Sequence, residues 1–146
     1  MNKYKGIPVR LRKIVWLCLI VILLSSCSAH NPFIVKNTTD TVTISQTRYT
    51  PHNNPVYVTT NALPASAKYE VLAKLDVGKV WYGSSKNVLQ SLADGARKMG
   101  ADAVIEVSTW YQPAGWSWAA PHGSGKAIKV IDPASVNFDS LQGEWK

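Results

Sequence analysis

A chain of 146 residues has room for one domain, and a formal charge of +7 invites a nucleic-acid or membrane-surface partner drawn in by charge. Locating the charge excludes that: Lys3, Lys5, Arg10, Arg12 and Lys13 stand without an acid before residue 14, whereas residues 27–146 hold eleven Lys or Arg against nine Asp or Glu, a net of +2. The two cysteines are Cys18 and Cys27, so the chain beyond them has no disulfide, thiol ligand or cysteine nucleophile.

The basic start is followed by eleven uninterrupted apolar residues, Ile14 to Leu24. A membrane-spanning helix needs about 20, so this run has the length of a signal-peptide core, and residues 1–26 are expected to direct export. Leu24-Ser25-Ser26-Cys27 directly behind it resembles the bacterial lipobox, which implies an acylated Cys27 as the mature N-terminus. Two or more acyl chains make a stable anchor, at about 0.8 kcal/mol per buried methylene. Ser28 stands where many lipoproteins retained in the inner membrane carry Asp, which favours the outer membrane. Residues 27–55 are rich in Thr, Asn, Ser and Pro and read as a lipidated polar tether, with a reach of roughly 90 Å fully extended. Within it, the alternation around Val42 and Ile44 suits a short edge strand.

The globular pattern starts at Val56. Val56 to Thr60 is strand-like, and Tyr69 to Val77 alternates Val71, Ala73, Leu75 and Val77 inward with Leu72, Lys74 and Asp76 outward. Lys79 to Tyr82 follows Gly78 as a further short stretch of strand type. Val88, Leu89, Leu92, Ala93, Ala96 and Met99 then recur at helical spacing, with Lys86, Asn87, Gln90, Asp94, Arg97 and Lys98 on the opposite side. Ser84 or Ser85 suits the N-cap, Arg97 and Lys98 suit the negative end of the helix dipole, Asp94 and Lys98 form an i,i+4 pair, and Gly100 suits a left-handed stop. Gly95, costly inside a helix, predicts close approach to the sheet. Ala103 to Val107 and Ala127 to Ile131 complete a β-β-α-β-β order. The expected fold is α+β, a four-stranded antiparallel or mixed sheet with one amphipathic helix packed on one face, in a domain of residues 56–133. Residues 134–146 read as a polar C-terminal tail, either a short helix packed back or mobile.

Chemical motifs are sparse. Gly123-Ser124-Gly125-Lys126 fails as a phosphate loop, because Ala120 stands where the first glycine is required and Ala127 where a magnesium-binding hydroxyl belongs; a glycine-rich hairpin is the better account. His30, His52 and His122 lack metal-ligand spacing and read as solvated loop histidines. Glu106 reads as a solvated charge on the outward side of its strand. What packing leaves unexplained is Trp110 to Pro121, which sets three tryptophans and Tyr111 in a Pro/Gly-punctuated connection between the last two strands. Trp and Tyr dominate interface hot spots, so Trp116, Trp118 and Tyr111 are the candidate partner-binding residues, with Trp110 packed.

Tyr69 to Ile131 also resembles a known superfamily. The alanine-bearing helix, the turn Gly100-Ala101-Asp102-Ala103-Val104-Ile105 and the closing Gly123-x-Gly125-x-Ala127-Ile128-Lys129-Val130 are similar to YbjQ-like proteins and the RcsF outer-membrane lipoprotein. The resemblance implies an α+β fold and an envelope lipoprotein that reports or transmits stress through protein contacts. The chain departs from RcsF in lacking the cysteines that cross-link that sensor's domain. The expectation is therefore an outer-membrane lipoprotein with a periplasmic domain, working as a non-catalytic protein-interaction module. Its partners would be the bilayer through Cys27 and another envelope protein or a second copy, with no nucleic acid, metal or cofactor. The alternatives are a self-assembling structural module, a small-ligand or metal-binding protein, and an enzyme, which requires acids converging with His122 in one cleft.

Overall fold

The computed structural model describes residues 38–114 and 117–146. The expected signal peptide, Cys27, His30 and Trp116 lie outside the described residues. Six strands form one mixed sheet: β1 (Thr38–Thr43), β2 (Tyr57–Thr59), β3 (Tyr69–Gly78), β4 (Ala103–Ala114), β5 (Ser117–Val130) and β6 (Gly143–Trp145), in the spatial order β1-β3-β5-β4-β2-β6. β2 and β4 are parallel, and every other pairing is antiparallel. Helix α1 (Ser85–Lys98) lies on one face. No helix among the described residues is long and apolar enough to cross a membrane.

The expected four-stranded α+β fold is thus corrected to a mostly β architecture of six strands carrying one α-helix. The two additional strands are the sheet's edges. β1 comes from the stretch read as tether, where a short edge strand was expected around Val42 and Ile44; the strand lies slightly earlier, and all six of its residues are exposed. β6 comes from the stretch read as tail, where Val56 and Lys146 exchange both backbone hydrogen bonds, at 2.9 and 3.0 Å. Lys79 to Tyr82, by contrast, belongs to the connection between β3 and α1.

The helix forms where its periodicity placed it. Ser84 caps its N-terminus by accepting from the Lys86 amide, and Gly100 follows its C-cap at φ +74°. Val88, Leu92, Ala93 and Ala96 are buried against Leu72, Leu75, Val77, Val104, Val107 and Ala127. Asp94 pairs with Arg97, one residue earlier than the expected Lys98. A Cβ on Gly95 would lie 3.4 Å from Leu75, in keeping with close approach to the sheet. The glycine-rich stretch is no hairpin but the middle of β5. A Cβ on Gly123 would meet Val88 at 2.7 Å, and one on Gly125 would meet Val104 at 2.6 Å, so these glycines leave room for the larger side chains of α1 and β4.

Two irregularities decide which residues face the helix. The register of β3 shifts between Val71 and Ala73, making Leu72 the extra residue; Leu72 joins the helix-side core and Val71 turns to the other face, the reverse of strict alternation. β4 shifts between Ile105 and Ser108, with Glu106 at φ +52°, so Ile105 and Val107 serve opposite faces. Glu106 there pairs with Lys126 at 2.6 Å.

The face away from α1 is half apolar and half polar. Its lower half packs Tyr57, Leu63, Ala103, Ile105 and Ile128 under Val136, Phe138 and Leu141, which two 3-10 turns (Pro133–Ser135 and Phe138–Ser140) hold in place. Tyr57 lies 4.8 Å from the Phe138 ring and donates its hydroxyl to the Leu141 carbonyl at 2.7 Å. Of the two alternatives for residues 134–146, the short helix packed back is the nearer, in the form of two 3-10 turns over the sheet as a second layer, while Gly143–Trp145 joins the sheet itself as β6. Residues 44–55 are likewise docked: His52 donates its amide to Arg97 O at 3.2 Å, its Nε2 lies 2.9 Å from Ala101 O, and Tyr49 packs against the helix-side core. Only residues 27–37 of the expected tether fall outside the described domain.

Candidate functional site: the aromatic end of the sheet

β4 and β5 continue as one long hairpin past the top of β3. Trp110 pairs with His122, Tyr111 with Pro121, Gln112 with Ala120 and Ala114 with Ser117. The Pro/Gly-punctuated connection expected here is thus two paired strands, with residues 115 and 116, and so Trp116, outside the described residues. Pro113 and Pro121 are accommodated within the strands, against the usual depletion of proline there. Trp118 is 80% exposed and Tyr111 55%. Trp110 is half-buried, its ring stacked on His122 at 6.0 Å.

The structure adds two residues that the sequence reading left out. Trp81 and Tyr82, 59% and 54% exposed, sit in the connection that crosses the same end, their rings 6.0 Å apart. Lys79 N donates to Pro121 O at 3.2 Å, and Trp118 N donates to the Tyr82 hydroxyl at 3.4 Å, so the connection is tied to the hairpin at two points. A groove of about 420 Å³ runs between them, lined by Trp81, Tyr82, Asn87, Gln90 and Pro121. The available signal was a Trp-Tyr pair bracketed by Gly78 and Gly83, a position suited to a surface turn rather than a buried strand.

Below the aromatic rings, on the face away from α1, Asp40, Asp76 and His122 line a hollow of about 400 Å³ with Lys79, Trp110 and Gln112. Asp40 and Asp76 are cross-strand partners. His122 is half-buried rather than solvated: its Nδ1 lies 3.4 Å from Gln112 Nε2, its Nε2 is buried without a partner, and burial lowers its pKa against the smaller raising effect of Asp76. Among the described residues, no three His, Cys, Asp or Glu side chains gather in a way that would hold a metal ion. At the opposite end, a hollow of about 600 Å³ is lined by Thr43, Ser45, Tyr49, Leu72, Lys98 and Met99. Glu70, bonded to two of those residues, accepts from Ser45 Oγ and from Tyr49 Oη, contacts that lower the Glu70 pKa and raise that of Tyr49.

What this end offers chemically is contact. Four exposed rings drawn from two segments present large apolar faces with polar tips, the form of side chain that serves interfaces with one dry side and one wet side. Comparison of the chain with protein-family models, curated proteins and solved structures found no match.

Proposed function

We propose that this protein is a lipoprotein held at the outer membrane through an acylated Cys27, and that its domain is a non-catalytic docking module whose contact surface is the aromatic end. The observation that carries the reading is the convergence of Trp81, Tyr82, Tyr111 and Trp118, all more than half exposed, from two separate segments. Trp116 belongs to the proposal by sequence alone. In this role the module relays envelope stress by contact, as the RcsF resemblance implies.

The hollow with Asp40, Asp76 and His122 is where an enzyme would place its chemistry, and its form argues against that use. The Nε2 of His122 is buried and so presents no lone pair to a substrate arriving from solvent, while the ring is occupied by its stack on Trp110.

Two measurements test the proposal. Cys27→Ala should abolish labelling by a fatty-acid probe and either release the protein from membranes or leave it as precursor; a label retained by the variant sinks the anchor. A photo-reactive side chain replacing Trp118 should give discrete adducts in intact envelopes. Their absence sinks the docking surface.

A further inference from the structure

We infer that the aromatic end docks on the interfacial zone of the same bilayer that holds Cys27, so that the sheet stands on the membrane by its hairpin. The inference rests on the proposed anchor and names the partner of the docking surface just described.

The first argument is where the chain enters the domain. Thr38 pairs with Gly78, Gly78 pairs with His122, and His122 pairs with Trp110, so the first described residue lies level with the base of the aromatic hairpin. Residues 28–37, between the anchor and Thr38, span at most about 36 Å whatever their conformation. From Trp110 the hairpin runs four residues further to Ala114, roughly 13 Å at about 3.3 Å per residue. The exposed rings therefore stand beyond the end of the sheet at which β1 begins, within that reach of Thr38. The other end of β3, at Tyr69, lies nine residues from Gly78, about 30 Å in the wrong direction. Turning that end to the bilayer would consume nearly the whole connection.

The second argument is composition. Residues 79–87 and 110–121 together contain two lysines, Lys79 and Lys86, and no Asp or Glu. Trp and Tyr are the side chains enriched at the headgroup level of membranes, where an amphipathic ring meets both apolar chains and water. A surface of exposed Trp and Tyr without a carboxylate can approach anionic headgroups without repulsion. The acids Asp40 and Asp76 lie below it, on one face of the sheet.

The test uses the mature lipidated protein reconstituted in vesicles of phosphatidylethanolamine and phosphatidylglycerol whose acyl chains carry bromine, a short-range quencher of tryptophan. The emission should be quenched relative to unbrominated vesicles. Trp118→Phe should remove a resolvable share of the quenching. Trp145→Phe, which alters a 52% exposed ring near the opposite end, should remove none. Unchanged unfolding midpoints would confirm that both variants are folded. Protein that floats with the vesicles but is not quenched, or whose quenching disappears with Trp145→Phe, overturns the inference and leaves the anchor standing. Protein adducts alone, without lipid adducts, from the photo-reactive side chain at position 118 overturn it too, while sparing the docking surface. Protein that neither floats nor carries acyl mass at Cys27 overturns anchor and inference together.

Discussion

Gly78 and His122 face each other across the β3–β5 pair so closely that a methyl group on Gly78 would lie 2.9 Å from two atoms of the His122 ring and 2.8 Å from the Thr38 hydroxyl. Gly78→Ala must push the imidazole off its stack on Trp110, and overpacking of this kind costs about 1–3 kcal/mol. Combining it with His122→Ala should recover part of the loss, because the clash is with the ring itself. Urea midpoints of both singles and the double variant measure the coupling, and strict additivity would disprove the contact.

Gly100 ends the helix at φ +74°, and a Cβ there would meet Tyr49 Cβ at 2.6 Å and the Thr50 carbonyl oxygen at 2.7 Å. Gly100→Ala therefore combines backbone strain of about 1–3 kcal/mol with a clash against main chain that cannot rotate away. It should lower the unfolding midpoint more than Gly78→Ala does. A smaller loss would mean that residues 49 and 50 are not docked on the helix end.

The second layer has its own test. Phe138→Ala should cost about 2 kcal/mol, below the range for a fully buried phenylalanine because the ring is half-buried. Tyr57→Phe should cost about 1 kcal/mol for the lost bond to Leu141 O. An unchanged midpoint for Phe138→Ala would show that residues 134–146 lie on the sheet without stabilising it.

Stability should rise with pH across the acid range. Burial lowers the His122 pKa below 6.5 and hydrogen bonds, first from Ser45, lower that of Glu70 below 4.5, so at both sites the unfolded chain binds protons more readily. The His122 contribution is complete above about 6.5 and is lost as pH falls toward its folded value; that of Glu70 is complete above about 4.5 and is lost further down. Tyr49, its pKa raised from 10.0 chiefly by the bond to Glu70, acts in the opposite sense, its contribution being lost only as pH rises above its ordinary value. Urea midpoints from about pH 8 to about pH 3 should flatten just below 6.5 in His122→Gln and at the acid end in Glu70→Gln. A wild-type curve flat across that range would contradict both assignments.

Local signals were legible in the sequence and distant pairings were not. Helix α1, its Ser84 cap and the left-handed Gly100 depend on neighbours within a few residues, and each stands where its pattern placed it. Leu72 was assigned to the wrong face because a bulge shifts the alternation by one residue, and the partners at the shift are distant in sequence: β5, and Ile44 and Ser45 just after β1, whose amides both donate to Leu72 O. β1 showed only the short alternation around Val42, β6 is too short to show a period, and the long hairpin was hidden by Pro113, Pro121 and the glycines of β5. At the aromatic end, Tyr111 and Trp118 were visible as residue types out of place in a core. Trp81 and Tyr82 join them only through the Lys79–Pro121 and Tyr82–Trp118 contacts, which no local pattern encodes.

The clasp between Tyr57 and Leu141 joins residues 84 positions apart in the chain. Until the later of the two is free to arrive, Ile105 and Ile128 have no cover on their side of the sheet, and folding dominated by such distant contacts is intrinsically slow. A chain threaded from its N-terminus through a narrow translocation pore thus remains unable to close this layer for most of its passage. If the chain is exported as proposed, the same pairing that completes the sheet would leave a window in which a chaperone can hold the uncovered face.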